Sequence, residues 1–267
     1  MATPEQNKED LYVVKIGGNI IDDQNKLDKF LYNFSKVPGK KILVHGGGKL
    51  ATRMASQLGI PQQMIEGRRI TDQETLKIVT MVYAGLVNKN ITASLQSLHC
   101  NAIGLCGADA NLVLASKREH PSIDYGFVGD VESVNSEFLN SLLQKDISPV
   151  IAPVTHNGKG QLLNTNADTI AQEIARAMAN KFSSVLVYSF EKPGVLGNAE
   201  DESTVIPVLH PELYKELKES GKIFAGMIPK LDNAFKALNE GVSKVVIGQA
   251  ENLPDLLLGG SGTTITL

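Results

Sequence analysis

Cysteine is scarce in this chain of 267 residues, which has only Cys100 and Cys106. Their spacing is not C-x-x-C, and no second pair completes a zinc site, so both read as free thiols in a reducing compartment. Positive charge is not in excess. Lys and Arg number 26 against 29 Asp and Glu, a net charge of −3. That leaves no broad basic surface for nucleic acid, although a few local cations suffice for a small anionic ligand. No apolar run approaches the roughly 18 residues of a spanning helix. Met1 to Asp10 is polar and acidic rather than signal-like. In that setting the glycosylation-type triplets Asn33-Phe34-Ser35 and Asn90-Ile91-Thr92 read as accidental. The expectation is a cytoplasmic protein that binds neither nucleic acid nor membrane.

The common phosphate signatures are missing as well. G-x-x-x-x-G-K-[ST] fails because Leu43 falls where its first glycine belongs. G-x-G-x-x-G and H-E-x-x-H do not occur, which excludes a P-loop enzyme and a standard dinucleotide binder. Composition is otherwise that of a globular protein. At 42% hydrophobic residues, there is enough apolar material for one large α/β domain or two lobes sharing a cleft.

Leu11 to Ile16 is a β-rich run ending at Gly17-Gly18, and Lys41 to His45 is another ending at Gly46-Gly47-Gly48. Asp22 to Ser35 between them has helical spacing, and a helix is expected to begin near Lys49. Strand, glycine turn and helix repeated in this way predict a mainly parallel sheet covered on both faces. Thr71 to Leu98 reads as one long helix whose apolar face carries Leu76, Val79, Tyr83, Leu86, Val87, Ile91, Leu95 and Leu98. Short strands are expected at 102–105, 112–115 and 128–134, with a hairpin among them. Further strands are expected at 149–153, 184–188, 244–248 and 263–267. Helices are expected at 136–143, 166–180, 210–220 and 227–239. The expected organisation is a single domain over 1–267, with lobes of about 1–180 and 181–267.

Several residue groups could carry chemistry. The two glycine turns let backbone N–H groups converge and a ligand approach the main chain, and a helix N-terminus behind each favours anions. Each is also explicable as a tight turn. Lys15 lies near the end of a buried strand, where an ammonium must reach water or find an anion. Lys230 lies at a helix start, where the dipole disfavours a cation. Asn164-Thr165-Asn166-Ala167-Asp168 is either a simple helix cap or a polar binding group. Glu66-Gly67-Arg68-Arg69 is either a basic surface turn or a bidentate carboxylate clamp.

Taken in order, these pieces resemble the N-acetyl-L-glutamate kinases of the amino-acid kinase family. The matching motifs are Lys15-Ile16-Gly17-Gly18, His45-Gly46-Gly47-Gly48, Gly67-Arg68-Arg69-Ile70-Thr71, Gly126-Phe127-Val128-Gly129, Asn164 to Asp168, and Gly226-Met227-Ile228-Pro229-Lys230. The resemblance implies a three-layer αβα sandwich around an open, mainly parallel, eight-stranded sheet. It implies phosphorylation by ATP with Mg²⁺ of the γ-carboxylate of an N-acylglutamate, in arginine biosynthesis. Lys15 and Lys230 would neutralise the phosphoryl group in transfer, and Asp168 would position both. Gly17, Gly18, Gly47 and Gly48 would hold phosphoryl oxygens. Gly47, Gly48, Arg69, Asn164 and Asn166 would face the acyl amino acid, with Arg69 on its α-carboxylate. Lys192, Gly194, Val195, Leu196 and Met227 would face the nucleotide, and no side chain is assigned to a metal.

The sequence departs from the family pattern at Phe190, which stands where Asp is usual, and at Ala110, Thr155 and His156, where Gly is expected. The latter three suggest an acyl group other than acetyl, such as succinyl. The few residues before the first strand suggest a plain homodimer without arginine feedback. The alternatives are a glutamate 5-kinase, carbamate kinase, UMP kinase or aspartokinase, or a ligand sensor of the same fold without turnover.

Overall fold

The computed structural model describes residues 8–65, 68–198, 200–223 and 227–267, without the side chains of Phe190 and Pro229. Gly67, Gly226 and the Phe190 side chain, all singled out above, lie outside the described residues. Eight strands form one sheet, in the order Val208–Leu209, Thr263–Ile265, Lys244–Gln249, Ser183–Phe190, Asp10–Ile16, Lys40–His45, Ser148–Ala152 and Ala102–Cys106. All neighbours are parallel except Lys244–Gln249 with Thr263–Ile265.

The strands read as continuous apolar runs because both faces are covered. Side chains alternate across a strand, and here they feed two separate cores. Leu11, Val13, Ile42, Val44, Ile151, Leu186 and Val245 face one core, with the helices Ser136–Leu143, Ala167–Met178 and Ile228–Asn239. Val14, Ile16, Leu43, Val150, Val187 and Val246 face the other, with Gln24–Lys36, Gly48–Gln57 and Leu253–Leu258. The result is the expected three-layer sandwich. No helix among the described residues is long and apolar enough to cross a membrane.

The expected long helix is interrupted. It runs as α-helix over Gln73–Val79, as π-helix over Thr80–Val87, and as α-helix again over Asn88–Ser97. The wider π-turn shifts the phase of the apolar stripe. Leu86, expected on the buried face, is therefore 45% exposed, while Tyr83 and Val87 stay buried.

A second, four-stranded sheet was only half expected. Val113–Lys117 and Gly129–Val134 pair antiparallel as the anticipated hairpin partners, and the three-residue strands Val154–His156 and Leu162–Asn164 extend the sheet. Gly126 ties this sheet to the main body. Thr71 N–H donates to Tyr125 O at 3.0 Å, Phe127 N–H to Thr71 O at 2.7 Å, and Asn164 N–H to Phe127 O at 2.8 Å. Gly126 has φ +70°, and a Cβ on it would lie 2.2 Å from Thr71 O. Gly126→Ala should therefore combine left-handed strain of about 1–2 kcal/mol with displacement of this tie. Thermal unfolding should show a melting temperature lower by roughly 5 °C or more. An unchanged melting temperature would contradict the tie.

Candidate active site

Parallel pairing brings the two glycine turns together. Ile16 is in register with His45, so Gly17-Gly18 and Gly46-Gly47-Gly48 leave adjacent central strands at their carboxyl ends, where ligands of open α/β sheets bind. Gly18 and Gly48 each begin a helix. Gly17, Gly18, Asn19 and Lys49 share a cavity of 320 Å³ with Gly46, Gly47 and Gly48. Lys49 Nζ contacts Asn19 Oδ1 and links the two turns.

Lys15, Asp168 and Lys230 meet, although they lie far apart in sequence. Lys15 Nζ is 2.7 Å from Asp168 Oδ1, and Lys230 Nζ is 3.4 Å from Asp168 Oδ2. Burial alone would push the Asp168 carboxyl up, but the two ammoniums outweigh it and hold the group below the usual carboxylate range. The Asp168 carboxylate also occupies the first turn of its helix, where the dipole favours an anion. Lys230 stands in the first turn of Ile228–Asn239, where a cation is disfavoured, and Asp168 offsets that cost. One carboxylate thus contacts two ammoniums from different elements.

A second cavity, of 220 Å³, is lined by Gly46, Gly47, Gly48, Arg69, Asn164 and Asn166, all anticipated except Gly46. Arg69 is 8% exposed. Its Nη2 donates to Gly48 O at 2.9 Å and Thr52 Oγ1 at 3.0 Å, and its Nη1 to Gln62 Oε1. These bonds use three of the five guanidinium N–H groups, and the Tyr83 hydroxyl lies beside the guanidinium as well. Asn164 Nδ2 donates to Thr71 Oγ1 at 3.0 Å. Asn166 caps its helix, with Oδ1 accepting from Asp168 N at 2.8 Å and Thr169 N at 3.1 Å, so the capping role and a place on the cavity wall coexist.

The wall also carries Arg68, the other guanidinium of the candidate clamp, and Tyr83, Arg118 and Val128, which sequence reasoning did not assign to the site. Arg118 is held by Asp130, with Nε 3.0 Å from Oδ1. By contrast, Thr155, His156 and Ala110 do not line this cavity. Thr155 is fully buried, with its hydroxyl 2.8 Å from that of Thr165. Ala110 is an exposed residue in a left-handed turn, φ +51°.

Lys192, Gly194, Val195, Leu196 and Met227 line a third cavity, of 270 Å³, together with Glu200 and Ile223. Lys192 Nζ pairs with Glu202 at 2.8 Å on the surface. Among the described residues no group of three or more His, Cys, Asp or Glu is placed to hold a metal ion.

The sequence profile described as the amino acid kinase family matches residues 10–249. An acetylglutamate kinase from Cytophaga hutchinsonii is 58% identical over 248 residues, 92% of this chain and 94% of that protein. One from Phocaeicola vulgatus is 55% identical over 258 residues, 97% and 99% of the two chains. Among solved structures, the N-acetylglutamate synthase of Neisseria gonorrhoeae complexed with coenzyme A and N-acetyl-glutamate has a TM-score of 0.81 at 21% identity, covering 98% of this chain and 60% of that one. That likeness is one of fold.

Proposed function

The chain belongs to the amino acid kinase family, and we propose that it uses ATP to phosphorylate the γ-carboxylate of an N-acyl-L-glutamate, N-acetylglutamate by default, in arginine biosynthesis. The observation that carries the reading is the Lys15–Asp168–Lys230 group. Lys15 precedes the first glycine turn by two residues, Asp168 follows the Asn166 wall of one cavity, and Lys230 follows the Met227 wall of another.

The chemistry requires what this site offers. A carboxylate is already nucleophilic, so no general base is needed. One carboxylate oxygen bonds to the γ-phosphorus, the bond to the β,γ-bridging oxygen breaks, and ADP leaves. The barrier lies in bringing an anion to a triphosphate and stabilising charge in line. Ammoniums and preorganised N–H donors do that. Lys15 and Lys230 neutralise the transferring group, Asp168 keeps both in place, and the N–H groups of Gly18, Gly47 and Gly48 receive its oxygens, whereas the N–H of Gly17, expected to do the same, already donates to Ser189 O at 3.1 Å. Bound together with ATP, Mg²⁺ would supply further charge neutralisation, and no side chain is assigned to hold it. Arg69 takes the α-carboxylate, and the N-acyl group blocks the amine that would otherwise cyclise onto the activated carboxyl.

The acyl and glycine-turn cavities are lined mainly by residues before 180 and the Lys192–Met227 cavity wholly by residues after it. This supports lobes of about 1–180 and 181–267 for acyl amino acid and nucleotide. A cytoplasmic homodimer is part of the same reading and rests on the family resemblance.

Arg68 and Arg118 on the acyl wall favour a second reading of the acyl group. With Arg69 they give three guanidiniums around a cavity whose default ligand brings one α-carboxylate, and a succinyl chain would bring another. An ATP-dependent hydroxamate assay with glutamate, N-acetylglutamate and N-succinylglutamate tests both. The expected outcome is acyl phosphate from an N-acyl glutamate and none from glutamate. Signal from glutamate alone points to a glutamate 5-kinase, and silence from all three contradicts the proposal.

A further inference from the structure

His45, immediately before the glycine turn, is fully buried. Its Nδ1 is 2.8 Å from Gly46 O, and its Nε2 is 3.0 Å from Asn88 Nδ2. A carbonyl can only accept, so Nδ1 must carry the proton and donate to Gly46 O. Nε2 is then an acceptor, and the Asn88 amide donates to it. The same amide nitrogen donates to Val150 O at 2.9 Å, which fixes which end of the Asn88 side chain faces the ring. Burial pushes the ring down to about 4, so this neutral tautomer persists at neutral pH.

The consequence lies one peptide further on. In a trans peptide the C=O and N–H point in opposite directions. The Gly46 carbonyl is drawn onto the buried imidazole, so the N–H of Gly47 is turned away from it, and Gly46, Gly47 and Gly48 line two cavities. Gly47 caps the helix that follows, so its N–H has no intrahelical acceptor. Among the described residues no turn or loop bond uses it as donor. Gly47 has φ +151°, and a Cβ there would meet Tyr83 Cδ1 at 2.9 Å, so the turn is packed from beneath as well.

The π-helix supplies both supports. Asn88 N–H donates to Tyr83 O, a bond spanning five residues. In an α-helix, residues five apart stand about 140° from each other. The wider π-turn brings Tyr83 and Asn88 to one side, where each reaches the 45–48 turn.

We propose that His45, held by Asn88, is a positioning residue that aims the Gly47 N–H at the ligand, and through it governs transfer rather than affinity. The kinetic part rests on the acyl-glutamate kinase reading, and the geometric part does not. Asparagine at 45 puts an amide N–H near the place of Nδ1 and keeps the bond to Gly46 O. Glutamine puts its amide near Nε2 and keeps the contact with Asn88 instead.

The test compares His45→Asn and His45→Gln with wild type in the acyl-phosphate assay, and reads the ring of His45 by ¹⁵N NMR. His45→Gln should lower kcat by roughly 10–100-fold, by analogy with the loss of an outer-shell partner that orients a metal ligand, with little change in either KM. His45→Asn should recover most of the loss. The ring should show Nδ1 protonated and Nε2 not. An Nε2-protonated ring would overturn the proposal even if the wild type proved to have no kinase activity, an outcome that would sink the functional reading alone. In an active enzyme, equal kcat in the two variants, or a loss confined to KM, would overturn it as well.

Discussion

Lys15→Ala should lower turnover by roughly 10²–10³-fold, the range for loss of one preorganised donor to developing charge, while the protein stays folded. Asp168 keeps its contact with Lys230 at 3.4 Å, so the carboxylate is not left buried without a cation. Lys230→Ala should fall in the same range. Lys15 is the closer of the two to Asp168, at 2.7 Å, and the less exposed, at 14% against 32% for Lys230, so its loss should be the larger. Both KM values should change little, because the lysines act on charge that develops during transfer. Near-normal kcat in either variant, measured with a melting curve beside it, would remove that lysine from the proposed role.

The second large effect is expected at Arg69. Truncating one partner of a buried, hydrogen-bonded charge pair costs roughly 2–5 kcal/mol, so Arg69→Ala should raise KM for the acyl amino acid by roughly 30-fold or more. KM for ATP should hold, because the cavity proposed for the nucleotide shares no lining residue with the cavity that holds Arg69. Arg69→Lys should recover little. Lysine keeps the charge but loses the planar guanidinium that bonds Gly48 O, Thr52 and Gln62 at once. An acyl amino acid KM that stays at the wild-type value in Arg69→Ala would contradict the clamp.

The parts that were legible in the sequence share a physical reason. The central strands announce themselves because both faces are buried, so Leu11 to Ile16 and Lys41 to His45 are unbroken by polar alternation apart from their lysines. One of those lysines, with another at a helix start, carried information. Lys15 and Lys230 contradict the local preference for apolar or acidic residues, and both find Asp168. The five residues assigned to the nucleotide share one cavity, although the Phe190 side chain and Gly226 lie outside the described residues.

Other parts were illegible for reasons equally physical. Strands of three residues, Val154–His156 and Leu162–Asn164, are too short for a period-2 signal. The π-turn leaves no mark in an apolar stripe that an α-helix would also explain, and so Leu86 was put on the wrong face. Thr155 drew attention as a departure from the family pattern, but its hydroxyl is spent on Thr165. Arg118 and Tyr83 reach the cavity wall from elements far from the motifs, and His45 finds Asn88 43 residues along the chain. A histidine directly before three glycines was the one visible sign of that last contact.

The most direct test of the central claim is to follow the oxygen. N-acetylglutamate labelled with ¹⁸O in its γ-carboxylate is incubated with ATP, Mg²⁺ and the enzyme, the acyl phosphate is released with hydroxylamine, and the phosphate is analysed by mass. Hydroxylamine attacks the acyl carbon and expels phosphate together with the bridging oxygen. If the carboxylate is the nucleophile, that phosphate carries one ¹⁸O from the substrate. Unlabelled phosphate, formed at the rate of ATP consumption, would mean that water rather than the carboxylate receives the phosphoryl group, and would contradict the account.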